Sequence, residues 1–195
     1  MRTDLGVSFM KKQIAKMIFK LSGWSYHIEP EILENKQVII GFEHTSNLDA
    51  VLSVALFEIL EIKIHTLIKK ELFQGSLKPL LEKLGGIAVD RHSKSDIVSQ
   101  MVKLFEQNDR FNLVIAPQAT RAKDGSTRKP IRTGFWHIAR AANVPIVLMY
   151  ANPVTKEGGI LGKIYPENLE ADLKLIQALY KEKVGLDICI PEQSN

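Results

Sequence analysis

The chain of 195 residues contains one cysteine, Cys189, which excludes an internal disulfide, and no group of cysteines and histidines has the spacing of a zinc site. A reducing, cytoplasmic setting is the direct expectation. No apolar run reaches the roughly 18 to 20 residues that a membrane-spanning helix requires. Lysines interrupt the first segment where the apolar core of a signal peptide would have to lie. Internal repeats, low-complexity tracts and linker-like stretches are also missing, so a single domain over 1–195 is the simplest organisation. With 45% hydrophobic residues the chain can bury a proper core, and its composition is not that of a disordered protein.

Acidic residues are scarce at the start. Residues 1–24 hold Arg2, Lys11, Lys12, Lys16 and Lys20 against Asp4 alone, which accounts for the whole formal excess of +4. Met10, Ile14, Met17, Ile18 and Leu21 recur there at helical spacing, and Trp24 closes the segment. The pattern predicts a basic amphipathic helix. Its apolar face can lie in an anionic membrane surface with Trp24 at headgroup level, or it can cover one face of the domain as an ordinary helix. The expected location is peripheral, on the cytoplasmic side of the inner membrane, with no span across it. A nucleic-acid partner is not expected, since the charge is gathered in this helix and one loop, and no nucleic-acid motif is present.

Beyond this helix, strands and helices trade places. Strands are expected at 36–44, 62–70, 86–91, 111–117, 144–150 and around 160–165. Helices are expected at 48–60, 75–85, near 94–107, near 134–142 and from about 169 to 183. Gly85 and Gly86 mark a tight helix-to-strand turn. Apolar strands alternating with helices predict an α/β fold with a mainly parallel central sheet and helices on both faces. In such a sheet ligands bind outside the carboxyl ends of the strands. Four of the expected strands end in chemically loaded residues: His44; Lys69 and Lys70; Asp90 and Arg91; and Gln118 through Arg121.

In "GFEHTSNLDA" (41–50), His44 follows a buried strand, Ser46 or Asn47 can cap the next helix, and Asp49 falls in that helix's first turn. A carboxylate there can hold one imidazole nitrogen and leave the other free to act as a base. Taken alone, this spacing is also that of a capping turn beside a partly buried histidine. His65, His92 and His137 have no comparable acidic neighbour and are read as structural.

Four blocks carry a resemblance: "HTSNLD" (44–49), "KKELFQGSLKPLLEKLGGIAVDR" (69–91), "APQATR" (116–121) and "NVPIVLM" (143–149). In this order, over about 36–150, the chain resembles the bacterial glycerolipid acyltransferase family typified by 1-acyl-glycerol-3-phosphate acyltransferases. The resemblance implies a glycerol-phosphate acyltransferase-like fold. It also implies transfer of a fatty acyl group from a thioester, acyl-CoA or acyl carrier protein, to a hydroxyl of a lyso-glycerophospholipid or related lipid phosphate. His44 would be the general base, oriented by Asp49. Arg91 and Arg121 would bind the acceptor's phosphate, with a hydroxyl contact from Thr120 and a more diffuse attraction from Lys69. Val144, Pro145 and Ile146 match the block associated with the acyl chain, although as residues they read equally well as a buried strand. No metal and no cofactor is implied; the acyl donor is itself a substrate.

The third block departs from the family's Phe-Pro-Glu-Gly-Thr-Arg. Glutamate is replaced by Gln118 and glycine by Ala119. An amide both donates and accepts where a carboxylate only accepts, so acceptor recognition is the property most exposed to change. Two further readings follow: an acyltransferase for a lyso-lipid that is not a glycerophosphate, or a lipid-binding homologue weakened in turnover.

Overall fold

The computed structural model describes residues 2–41, 47–90, 94–118 and 130–191. Helix α1 (Arg2–Ser22) leads into a short strand β1 (Ser25–His27), and β2 (Lys36–Gly41) precedes helix α2 (Asn47–Ile59). Strand β3 (Ile64–Lys69) is followed by 3₁₀ turns at Lys70–Leu72 and Gly75–Leu77, helix α3 (Lys78–Lys83) and strand β4 (Gly86–Val89). Helix α4 (Lys94–Gln107), β5 (Phe111–Ile115), α5 (Gly134–Ala142), β6 (Ile146–Asn152), β7 (Glu157–Ile164) and α6 (Leu169–Val184) complete the order.

The strands form one seven-stranded sheet, β1-β7-β6-β2-β5-β3-β4. Neighbours are parallel throughout except β6 and β7, which run antiparallel with a register shift at Leu148/Met149. This is the mixed, mainly parallel sheet that the alternating pattern predicts. Strands β2 and β6 are buried on both faces, which is why they read as unbroken runs of Val, Ile, Leu and Met.

Alternate residues of these strands feed two cores. Val38, Ile40, Ile146 and Leu148 pack with Met101 and Phe105 of α4, Phe135 and Ile138 of α5, and Ile176 of α6. Ile39, Val147, Met149 and Ile160 pack on the other face with Ala15 and Phe19 of α1 and Leu52, Ala55 and Leu56 of α2. Right-handed crossovers place α3 on this second face as well. The neighbours of Gly86 agree, since they are Ile68, Leu81 and Phe73. Helices α1–α3 therefore cover one side and α4–α6 the other.

Gly85 lies at φ +80°, and a Cβ there would collide with the carbonyl oxygen of Ile64. The α3–β4 turn thus needs glycine for backbone angle and for close approach together. At the amino edge of the sheet, buried Gln37 donates to Asn112 Oδ1 at 2.9 Å, and Asn112 Nδ2 donates to the Lys63 carbonyl at 3.2 Å. These bonds satisfy side chains that would otherwise be costly to bury.

One expectation is corrected in detail. Trp24 does not project toward a headgroup layer: the chain turns at Gly23, φ +71°, and the indole is buried in the α1–α2 core with Phe19 and Ile39. Helix α1 is attached through Ala15 and Phe19, whereas Met10, Ile14, Met17 and Leu21 are all more than half exposed, Leu21 at 79%. The helix does cover one face of the domain, but its most apolar stripe looks away from it.

Candidate active site

The carboxyl ends of β2, β5, β3 and β4 lie side by side along one edge of the sheet, because all four strands are parallel and adjacent. After β2 the chain moves to α2 on one face; after β5 it moves to α5 on the other. Adjacent strands whose helices diverge in this way leave a crevice between their carboxyl ends, the usual ligand position in open α/β sheets. The β2 and β5 ends flank it here.

Sequence order hides this arrangement. The third block follows β5, and β5 sits between β2 and β3, so Gln118 leaves the sheet between the strand that precedes His44 and the strand that ends at Lys69. From β2 to β4 is three strand spacings, about 14 Å, a width suited to a polar headgroup between basic side chains.

His44, Arg91, Thr120 and Arg121, together with Ala119, lie outside the described residues. Asp49 is the third residue of α2, in its first turn, as the motif requires; its side chain is likewise outside the description. Lys69 is the exposed last residue of β3, and Gln118 is half-buried three positions past β5. Thus the backbone brings Asp49, Lys69 and Gln118 to one edge. Val144, Pro145 and Ile146 are not brought there. They are buried at the amino end of β6, where the Pro145 carbonyl accepts from Val38 N–H at 3.0 Å, and Val144 and Ile146 belong to the α4–α6 core.

The segment that carries Thr120 and Arg121 is closed at its base. Arg132 N–H donates to the Pro117 carbonyl at 3.0 Å, and Ile131 N–H to the Cys189 carbonyl at 2.9 Å. Both its departure from β5 and its return to α5 are fixed by backbone bonds.

Tyr180 is a contributor that motif reasoning missed. It reaches from α6 through the core and donates to the Met149 carbonyl at 2.6 Å, with the Ile40 carbonyl at 3.4 Å. Met149 is paired with Gly41, the last residue of β2, so this hydroxyl holds the strand end from which the His44 segment departs. Burial pushes its phenol well above the ordinary range and keeps it a neutral donor. The available signal was a tyrosine at helical spacing with Leu173 and Ile176.

Among the described residues no group of His, Cys, Asp and Glu is placed to hold a metal ion, and no helix is long and apolar enough to cross a membrane.

A mainly parallel seven-stranded sheet covered by helices on both sides, with the motif-bearing connections leaving the carboxyl ends of β2, β3 and β5, defines an α/β fold of the open-sheet class. The sequence profile of the family described as Acyltransferase matches residues 24–151, about two thirds of the chain, and the chain belongs to that family. Among solved structures it is similar to the 1-acyl-sn-glycerophosphate (LPA) acyltransferase PlsC from Thermotoga maritima, with a TM-score of 0.63 and 15% identity. That similarity covers 92% of this chain and 78% of the other. Comparison with curated proteins gives no match.

Proposed function

We propose that the chain moves a fatty acyl group from a thioester, acyl-CoA or acyl carrier protein, to the free hydroxyl of a lyso-glycerophospholipid, most simply 1-acyl-glycerol-3-phosphate, giving phosphatidic acid. The observation that carries this reading is the family match over 24–151, which includes the His-x4-Asp segment at the β2–α2 junction and the third block after β5.

His44 takes the proton of the acceptor hydroxyl as its oxygen attacks the thioester carbonyl. The new C–O bond forms, the C–S bond breaks, and the proton passes from the imidazolium to the departing thiolate. Asp49 fixes the imidazole tautomer and stabilises its charged form. Arg91 and Arg121 clamp the acceptor's phosphate, because guanidinium groups match its oxygens two at a time; Thr120 adds a hydroxyl and Lys69 a third positive charge. Gln118 faces the glycerol portion in the place of a carboxylate. Contact with the bilayer that holds the acceptor runs through the outward stripe of α1, where Met10, Ile14, Met17 and Leu21 are exposed and flanked by Lys16 and Lys20.

The test is release of free thiol by purified protein given long-chain acyl-CoA or acyl carrier protein and a panel of lyso-acceptors. Turnover with a lyso-phospholipid that His44→Ala lowers by roughly 10²-fold or more is the expected result. Silence across the panel, or a full rate in the variant, rejects the reading.

A second reading rests on Gln118 and Ala119: a lipid-binding homologue without turnover. Gln118→Glu combined with Ala119→Gly distinguishes the two. A large gain from a silent wild type supports the second reading, and robust wild-type activity removes it.

A further inference from the structure

Exposed large apolar side chains are distributed unevenly over the two sides of the sheet. Among the described residues five lie on α1, two on α2 and four between β3 and β4, all on one side; helices α4–α6 on the other side expose Leu175 alone. The α1 stripe accounts for only part of this asymmetry.

The β3–β4 crossover supplies the rest. The Phe73 ring and the Leu81 carbonyl lie over Gly86 and hold the crossover to the sheet. Leu72, Leu77, Leu80 and Leu84 turn outward and are each more than half exposed, Leu84 most at 63%. Leu77, Leu80 and Leu84 have the i, i+3, i+7 spacing of a single helical stripe. Four exposed leucines within thirteen residues are an apolar concentration of the kind that marks a docking surface. Residues 69–84 also hold Lys69, Lys70, Lys78 and Lys83 against Glu71 and Glu82. Leucines with interleaved lysines match the boundary of an anionic bilayer, with acyl chains below and phosphates above. Lys78 pairs with Glu82 at 3.8 Å, so the surplus positive charge comes from Lys69, Lys70 and Lys83 set against Glu71; a second copy of the chain would set this surplus against itself, and a neutral protein groove would leave it unbalanced.

We propose that the β3–β4 crossover is a second lipid-docking element, which seats Leu77, Leu80 and Leu84 in an anionic membrane surface at a distance from α1. Helix α1 packs on α2 and runs into β1, the strand at one edge of the sheet, and the crossover borders β4 at the other edge. Two contacts on opposite ends of one side fix the tilt of the sheet on the membrane, which a single helix leaves free to rock. The inference concerns the membrane orientation of the enzyme proposed above, and its test uses no acyl substrate, so failure of the acyltransferase reading leaves the result interpretable.

The experiment is sedimentation with vesicles of phosphatidylglycerol and phosphatidylcholine in about equal parts, against vesicles of phosphatidylcholine alone. Wild type is expected to partition onto the anionic vesicles. Leu77→Ser, Leu80→Ser and Leu84→Ser together are expected to lower the partition coefficient by roughly tenfold or more, from the apolar area they withdraw. Met10, Ile14, Met17 and Leu21 changed to serine are expected to leave residual binding that the three further changes abolish. In a second measurement, an environment-sensitive fluorophore at Leu80→Cys in a Cys189→Ser background is expected to shift to the blue on the same vesicles. Unchanged partitioning of the three-serine variant, or an unshifted fluorophore on bound protein, overturns the proposal. So does loss of self-association, seen in sedimentation velocity, without loss of vesicle binding.

Discussion

The Tyr180 hydroxyl donates to the Met149 carbonyl at 2.6 Å, across the full depth of the core from α6 to the central strands. The bond falls where β6 shifts register and beside the end of β2, so one buried hydroxyl steadies two strands at the edge where chemistry is expected. Tyr180→Phe keeps the ring and leaves this carbonyl without that donor. The expected cost is about 1–3 kcal/mol in urea unfolding. Tyr165→Phe, at an exposed position, should lie within about 0.5 kcal/mol of wild type.

The two glycines at positive φ in the β3–β4 crossover should respond differently to alanine. Gly75 lies at φ +66° with nothing near a built Cβ, so Gly75→Ala should cost only the backbone strain, about 1–2 kcal/mol. Gly85→Ala adds a collision with the Ile64 carbonyl and should cost clearly more, or fail to fold. Paired thermal melts compare them.

Helix α1 presents two apolar faces with different duties, and alanine substitution separates them. Phe19→Ala empties part of the α1–α2 core and should destabilise by about 3–5 kcal/mol. Leu21→Ala, at an exposed position, should change solution stability by no more than about 0.5 kcal/mol. A large effect at Leu21 in the absence of lipid would mean that the outward stripe is structural after all.

His65 sets a pH dependence of known sign. Its ring stacks on Phe111 at 4.5 Å, and Nδ1 is buried without a hydrogen-bond partner. Burial, and then the nearby charge of Lys63, holds its pKa below the ordinary 6.5. The unfolded chain therefore takes up the proton first as pH falls, and stability present above about pH 6.5 declines on acidification below it. His65→Phe should flatten this limb in melts taken between about pH 7 and 5.

Under the proposed function the arginines act on binding more than on the chemical step. Arg91→Lys or Arg121→Lys keeps the charge but loses the two-pronged contact, and KM for a phosphate-bearing acceptor should rise by roughly tenfold to a hundredfold. The value of kcat should change less. Equal losses for acceptors with and without phosphate would remove both residues from that role.

The strands and helices of the core were legible because their apolar residues keep a clear period, and α4 and α5 begin and end where that period predicts. Strand β1 was not legible. Its three residues are exposed and lack apolar alternation, and they join the sheet through the β7 ladder against Gly159, where a side chain would strike the His27 carbonyl. Periodicity marked α1 as amphipathic but left open which face attaches: Ala15 and Phe19 supply the contact with Ile18 partly buried beside them, and Met10, Ile14, Met17 and Leu21 face outward. At the site, the motif residues could be read from spacing and resemblance. Their arrangement could not, because β5 inserts between β2 and β3 only through pairing between distant segments. Tyr180 escaped notice for the same reason, being separated by 31 residues from its acceptor.

Only Gly23 and Trp24 separate the end of α1 from β1, and Trp24 is itself buried. A helix joined so closely to an edge strand is no swinging arm. Whatever surface α1 rests on is held at a set height from the crevice, with the sheet as the strut between them. Under the proposed function, that fixed separation would select among lipid acceptors by how far their hydroxyl stands above the acyl chains.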